Sequence, residues 1–106
     1  MPQYSPGDVV LAAFPFEDTS DTKPRPVVII EAYPDASYSC MITGTNRSHL
    51  DKGFWILKDS DDGKAMKLKK DSFVNANRCT EIKNCMIFKK MGECPFIEKL
   101  ERLINE

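Results

Sequence analysis

Arg25 is the residue whose type and setting point most directly to chemistry in this chain of 106 residues. It stands between Pro24 and Pro26, and a proline both fixes its own backbone and holds the residue before it extended. A guanidinium anchored in this way is pre-organised. Its planar fork suits a phosphate through two parallel charge-assisted hydrogen bonds, although the same position also suits a structural arginine paired with Asp18, Asp21 or Glu31. Thr43 is the second candidate. It lies in Ile-Thr-Gly-Thr, where a hydroxyl at a strand-to-loop corner either donates to a phosphoryl oxygen or satisfies nearby loop backbone. Lys64, Lys67, Lys69 and Lys70 are candidate phosphate contacts, as is the polar loop over 17–23 with Lys23 at its end. Phe16 or Trp55 would give a base a stacking surface, but Trp55 is expected in the core. His49 sits in a polar loop and reads as a surface residue.

Metal and histidine chemistry find little support. Cys40, Cys79, Cys85 and Cys94 form no C-x-x-C pair and no zinc-like spacing, and His49 is the one histidine. No metal and no cofactor are expected, and a mechanism needing two histidines as acid and base is excluded. Four free thiols in a reducing cytoplasm are the expectation, with Cys40 in an apolar run and therefore in the core.

The elements that must position these residues are short. Residues 8–14 read as a strand, followed by a polar loop. Pro24 and Pro26 delay ladder pairing until Val27. Residues 27–32 are β-branched and apolar on both faces, as in a central strand. Further strands are expected over 38–43, 54–57, 65–68, 72–74 with its continuation, and 85–91, with a turn over 59–63. Residues 75–78 are weakly patterned, as at a bulge or bend. From Pro95, apolar residues at Phe96, Ile97, Leu100, Leu103 and Ile104 fall on one helical face, with Pro95 suited to the first turn. Six or seven short strands and one closing helix indicate a mostly β fold, a small antiparallel barrel with a C-terminal helix packed on it.

Size and charge bound the answer. The length suits a single domain over 1–106 with a modest core. No apolar run approaches a membrane span, and the N-terminus carries no secretory pattern, so a cytoplasmic protein without membrane association is expected. The formal net charge is −1, but it is unevenly spread. Residues 1–62 hold 5 Lys/Arg against 10 Asp/Glu, and residues 63–106 hold 10 against 6. This split permits a nucleic-acid partner without arguing for one.

The ordered set of motifs adds more. The segment PGDVVLAAFPFEDTSDTKPRPVVII resembles the opening of the PemK/MazF family of toxin endoribonucleases, with Pro6, Gly7, Asp8, Phe14, Pro15, Phe16, Asp18, Lys23, Arg25 and Pro26 in matching order. Ile42-Thr43 matches the end of the family's next strand. LKKDSFV, with Leu68, Lys69, Ser72 and Val74 in register, is similar to a later segment, and the closing CMIFKKMGECPFIEKLERLINE resembles the family's ending. The resemblance implies an SH3-like barrel, a homodimer, and metal-independent cleavage of single-stranded RNA. It also implies a cognate antitoxin whose disordered acidic tail covers the RNA groove. Arg25 and Thr43 match the family's catalytic pair. Phe16, Lys23, Lys69, Lys70, Ser72, Asn75, Asn77 and Arg78 are the implied substrate contacts.

The implied reaction suits these residue types. A ribose 2′-hydroxyl attacks the adjacent phosphorus, leaving a 2′,3′-cyclic phosphate and a 5′-hydroxyl. A fixed arginine can stabilise the charge that develops on the non-bridging oxygens, and only RNA carries the nucleophile. No general base is evident. Where some relatives carry an arginine and an aspartate proposed for acid–base work, this chain has Asn75 and Asn77, which do not ionise, and Arg78 is shifted from that register. A non-enzymatic binder on the same barrel, either a topoisomerase-poisoning relative or a decayed toxin, is the rival reading.

Overall fold

The computed structural model describes residues 3–13, 24–46 and 48–106. Among these residues six strands form one antiparallel sheet: β1 (Asp8–Ala12), β2 (Arg25–Ala32), β3 (Ala36–Thr43), β4 (Gly53–Ile56), β5 (Ser72–Lys83) and β6 (Ile87–Glu93). Their order across the sheet is β4-β5-β3-β2-β1-β6. Among the described residues two helices complete the fold, a short α1 (Asp61–Ala65) and a closing α2 (Ile97–Ile104), with one 3-10 turn over Asn84–Met86. The extents, 32 × 30 × 28 Å, are those of a sheet wrapped on itself rather than spread flat. The expected mostly β, barrel-like fold with a C-terminal helix is the one observed.

β2 is central, and its apolar run is buried on both faces for the expected reason. Val28 and Ile30 pack with Val9, Cys40, Ile42 and Leu100. Val27 and Ile29 pack with Val10, Ala12, Ile82 and Ile87. Side chains alternate across a strand, so a strand covered on both sides must be apolar at every position. α2 caps the first of these layers through Leu100, which is wholly buried. Phe96, at the helix N-cap, meets Phe54 of β4 with ring centroids 5.0 Å apart.

Several expectations are corrected. Pairing of β2 with β1 begins at Arg25, opposite Ala12, not at Val27. Only on the β3 side does the ladder start at Val27, opposite Met41. Proline lacks a donor, but β1 still aligns alongside Pro26 at Leu11. The strand expected over 65–68 and the turn over 59–63 are replaced by α1. Its signal was present in the chain: the Ser60 hydroxyl accepts from the Gly63 amide at 3.1 Å, and Asp61 and Asp62 occupy the first turn. After α1 the chain reverses at Lys67, which has φ +60°. The last strand starts at Ile87 rather than Cys85, and Pro95 precedes the N-cap instead of lying in the helix. Trp55 is 37% exposed on β4, not core. Phe14, the expected end of the first strand, lies outside the described residues.

The weakly patterned stretch at 75–78 is a bulge. Met41 pairs with Asn75, whereas its neighbour Cys40 pairs with Cys79, so residues 76–78 have no partner on β3. Cys40 and Cys79, directly opposite one another with Cα atoms 4.1 Å apart, are joined by a disulfide. The expected four free thiols are therefore reduced to two, exposed Cys85 and buried Cys94. Pairing of cysteines 39 residues apart in sequence follows from β3–β5 register, which spacing does not reveal.

Candidate functional site

β2 and β3 run antiparallel with Val27 opposite Met41 and Val28 opposite Cys40. Continuing that register by two residues sets Arg25, at the start of β2, across from Thr43, at the end of β3. Residues directly opposite in an antiparallel pair present their side chains on the same face. Arg25 and Thr43 line one cavity of about 410 Å3 together with Lys69, Lys70 and Ser72. Arg25 is exposed and Thr43 half-buried. The cavity floor is apolar, supplied by Leu11, Ile42, Leu68 and Met91.

The turn between α1 and β5 delivers the lysines. The Ser72 hydroxyl donates to the Lys70 carbonyl at 2.8 Å, and Asp71 Oδ1 accepts from the Lys58 amide at 2.9 Å. These bonds hold the turn from both sides. Ser72 is 3% exposed and thus buttresses the backbone beneath Lys70. The Lys70 side chain lies over Gly44, where a Cβ would fall 2.9 Å from Nζ. A glycine directly after Thr43 is what allows that ammonium to come so close. Thr43 Oγ1 accepts from the Thr45 amide at 3.4 Å, a long bond that leaves the hydroxyl proton able to donate elsewhere.

Charge separates this cavity from its neighbours. Its described lining holds Arg25, Lys69 and Lys70 and no carboxylate. A larger hollow of about 610 Å3 lies beside Tyr4, Asp8, Lys90, Glu93 and Ile97, but its lysine is already engaged. Lys90 Nζ sits 3.1 Å from Glu93 and 3.2 Å from Asp8, and these hydrogen bonds raise its pKa, that to Glu93 foremost. An anion arriving there would meet two carboxylates around one spent cation.

The remaining sequence candidates lie apart from the Arg25 cavity. Asn75 is wholly buried: its Nδ2 donates to Asp51 Oδ2 at 3.0 Å, and its Oδ1 accepts from the Asn77 amide at 3.0 Å. Asn77 Nδ2 reaches Asp51 Oδ1 at 3.5 Å. The two asparagines and Asp51 thus pin the loop before β4 to the β5 bulge. Asn77 lines a separate open hollow with His49, Asp51 and Lys52, and Arg78 is exposed beside it on the bulge. Asp51 carried no signal in the sequence, because its partners are supplied by a strand 24 and 26 residues away. Glu31, offered as a partner for Arg25, accepts instead from the Tyr33 hydroxyl at the opposite end of β2. Phe16, Lys23, Asp18 and Asp21 lie outside the described residues. Among the described residues no three His, Cys, Asp or Glu side chains converge as a metal would require.

No curated protein matches the sequence. The model of the PemK-like, MazF-like toxins of type II toxin–antitoxin systems matches residues 5–102, from before β1 into α2, and therefore takes in every strand and both Arg25 and Thr43. Members of that family are generally endoribonucleases. The chain belongs to the PemK-like, MazF-like family of type II toxins.

Proposed function

We propose that this toxin is a metal-independent, sequence-selective endoribonuclease, a single toxin domain over 1–106 that cleaves single-stranded RNA with Arg25 and Thr43 as its catalytic pair. The observation that carries this reading is the cavity in which Arg25 and Thr43 meet across β2 and β3 beside Lys69 and Lys70, with no carboxylate among its described lining residues. A phosphodiester seated there finds a forked donor, a hydroxyl donor and two ammonium groups. The ribose 2′-oxygen attacks phosphorus as its proton passes to solvent, and the bond to the 5′-oxygen breaks. That oxygen takes up a proton from solvent, leaving a 2′,3′-cyclic phosphate and a 5′-hydroxyl. Arg25 stabilises the charge accumulating on the non-bridging oxygens, and Thr43 donates to the same phosphate. Positioning and electrostatics supply most of the rate, because neither a carboxylate nor a histidine lines the cavity among the described residues. Lys69 and Lys70 contact flanking phosphates, and Ser72 positions their turn. Phe16, Lys23, Asn77 and Arg78 extend the contact surface, and Asn75 serves it by holding Asn77. A homodimer and a cognate antitoxin, as is usual in this family, complete the system in the cytoplasm.

The test is incubation of purified protein with a mixed-sequence RNA in EDTA. Cleavage that yields cyclic-phosphate ends and disappears in Arg25→Ala is the expected result. RNA left intact at a large excess of protein would sink this reading in favour of a non-enzymatic binder. One feature favours that rival: the asparagines at the family's second charged pair are spent on Asp51.

A further inference from the structure

The Cys40–Cys79 disulfide lies at the register break of β5, where Cys40 pairs with Cys79 and the next residue, Met41, pairs with Asn75. We propose that this pair is a reversible oxidation site whose state sets the position of the bulge at residues 76–78, and with it Asn77 and Arg78.

The two sulfurs stand in unequal surroundings. Cys40 is wholly buried among Val28, Ile42 and Val74, on a strand clamped by β2 on one side and β5 on the other. Cys79 is only half-buried, at the end of three residues that β3 does not pair. A disulfide brings two sulfurs to bonding distance, whereas two thiols require van der Waals separation, so reduction forces one side outward. β3 has no room to yield. The bulge has more freedom on this side, since residues 76–78 pair with nothing on β3. They are tied on the other side, through Asp51 and the Ala76 amide that donates to the Lys52 carbonyl at 2.8 Å, so the displacement falls on the Cys79 end. Reduction also creates a donor: the Cys79 sulfur lies 3.4 Å from the Ala76 carbonyl oxygen and 4.0 Å from that of Asn75. Once it carries a proton it can bond either carbonyl, an interaction that the disulfide does not make. Both redox states therefore engage the bulge backbone, but through different contacts.

The exchange balances with a low-molecular-weight disulfide as oxidant. The Cys79 thiolate attacks one of its sulfurs and expels a thiolate, forming a mixed disulfide. Cys40 then attacks the Cys79 sulfur and expels the second thiolate. The protein loses two protons and two electrons, and the oxidant becomes two thiols. In reverse, a small thiol enters at Cys79, the more accessible sulfur. Neither Cys85 nor Cys94 faces another cysteine in the register, and Cys94, whose pKa burial pushes up to about 11, stays a thiol.

The consequence for RNA rests on the nuclease reading, because Asn77 and Arg78 are contacts only under it. The experiment uses the full-length protein with Cys85→Ser, equilibrated in oxidised and reduced glutathione. Thiol alkylation with mass spectrometry reads the state of Cys40 and Cys79, and hydrogen exchange reads the bulge. Expected are a Cys40–Cys79 bond that follows the glutathione ratio and altered exchange confined to peptides covering residues 75–79. RNA cleavage should show a severalfold higher KM in the reduced form, a difference that vanishes in Cys79→Ser. Identical exchange in both states, or cysteines that ignore the glutathione ratio, would overturn the proposal without recourse to the Cys79→Ser variant. A responsive bulge with no RNA cleavage in either state would support the redox site and overturn the nuclease reading instead.

Discussion

The role proposed for Arg25 rests on two local constraints, a proline on each side and a strand partner that carries a hydroxyl at the opposing position. Its fork can bind two phosphate oxygens at once, and a lysine cannot reproduce that geometry. Arg25→Lys should therefore lower kcat about 10²–10³-fold despite retaining the charge, as removal of a transition-state donor does. Thr43→Val, which keeps the shape and deletes the donor, should cost roughly tenfold, the worth of one hydrogen bond to a charged group. Single-turnover cleavage in EDTA measures both, and a fully active Arg25→Lys would show that only charge matters. Cys94 makes a separate prediction. Burial raises its pKa from 9.0 to about 11, so between those values the unfolded chain loses this proton while the folded chain retains it. The unfolded state then binds fewer protons, and stability falls as pH rises through pH 9–11. In Cys94→Ala that part of the decline should disappear from urea midpoints compared at pH 8 and 10.5. At this scale the sequence was most legible for Arg25 and Thr43, whose immediate neighbours define them. It was least legible for Asp51, Trp55 and the disulfide, whose settings depend on other strands.

Among the elements, the β5 bulge and the α1 turn do most to shape the surface. Asp51 holds the bulge through two asparagines, one of them wholly buried. Asp51→Ala leaves the Asn75 amide without this acceptor and should destabilise the fold by about 1–3 kcal/mol, as read from the urea midpoint, with increased exchange at residues 48–52. Asp51→Asn, which retains an acceptor, should lose less. α1 docks where β6 passes beneath it without a side chain: a Cβ at Gly92 would fall 2.5 Å from the Ala65 carbonyl oxygen. Gly92→Ala should therefore cost about 1–3 kcal/mol as α1 is pushed away. Because α1 leads into the Lys69–Lys70 turn, it should also weaken RNA binding more than its stability loss explains. The bulge was foreshadowed by the poor patterning of 75–78. α1 was misread as a turn and strand because five residues are too few to display helical periodicity, although Ser60 and the acidic first turn were there to be weighed.

The whole molecule resolves the uneven charge of the chain. Arg25 belongs to the acidic first part, Lys69 and Lys70 to the basic second, and folding brings all three to one cavity. Binding of RNA should accordingly weaken with salt, and Lys69→Ala or Lys70→Ala should each reduce the log–log salt slope by about 0.7, the single-strand value per phosphate contact. Fluorescence anisotropy over a salt series at fixed RNA sequence measures this, and an unchanged slope would remove those lysines from the interface. The sequence by itself determined the family, the mostly β class, the central two-faced strand, the closing helix and the candidate pair Arg25 and Thr43. These are properties of contiguous segments, of periodicity and of motif order. Only the tertiary structure decided that Lys69, Lys70 and Ser72 join that pair, that Asn75 and Asn77 are held by Asp51, and that Cys40 and Cys79 bond. Each of these depends on strand register and on one three-residue bulge, and shifting a register changes every partner across the sheet without altering the local pattern.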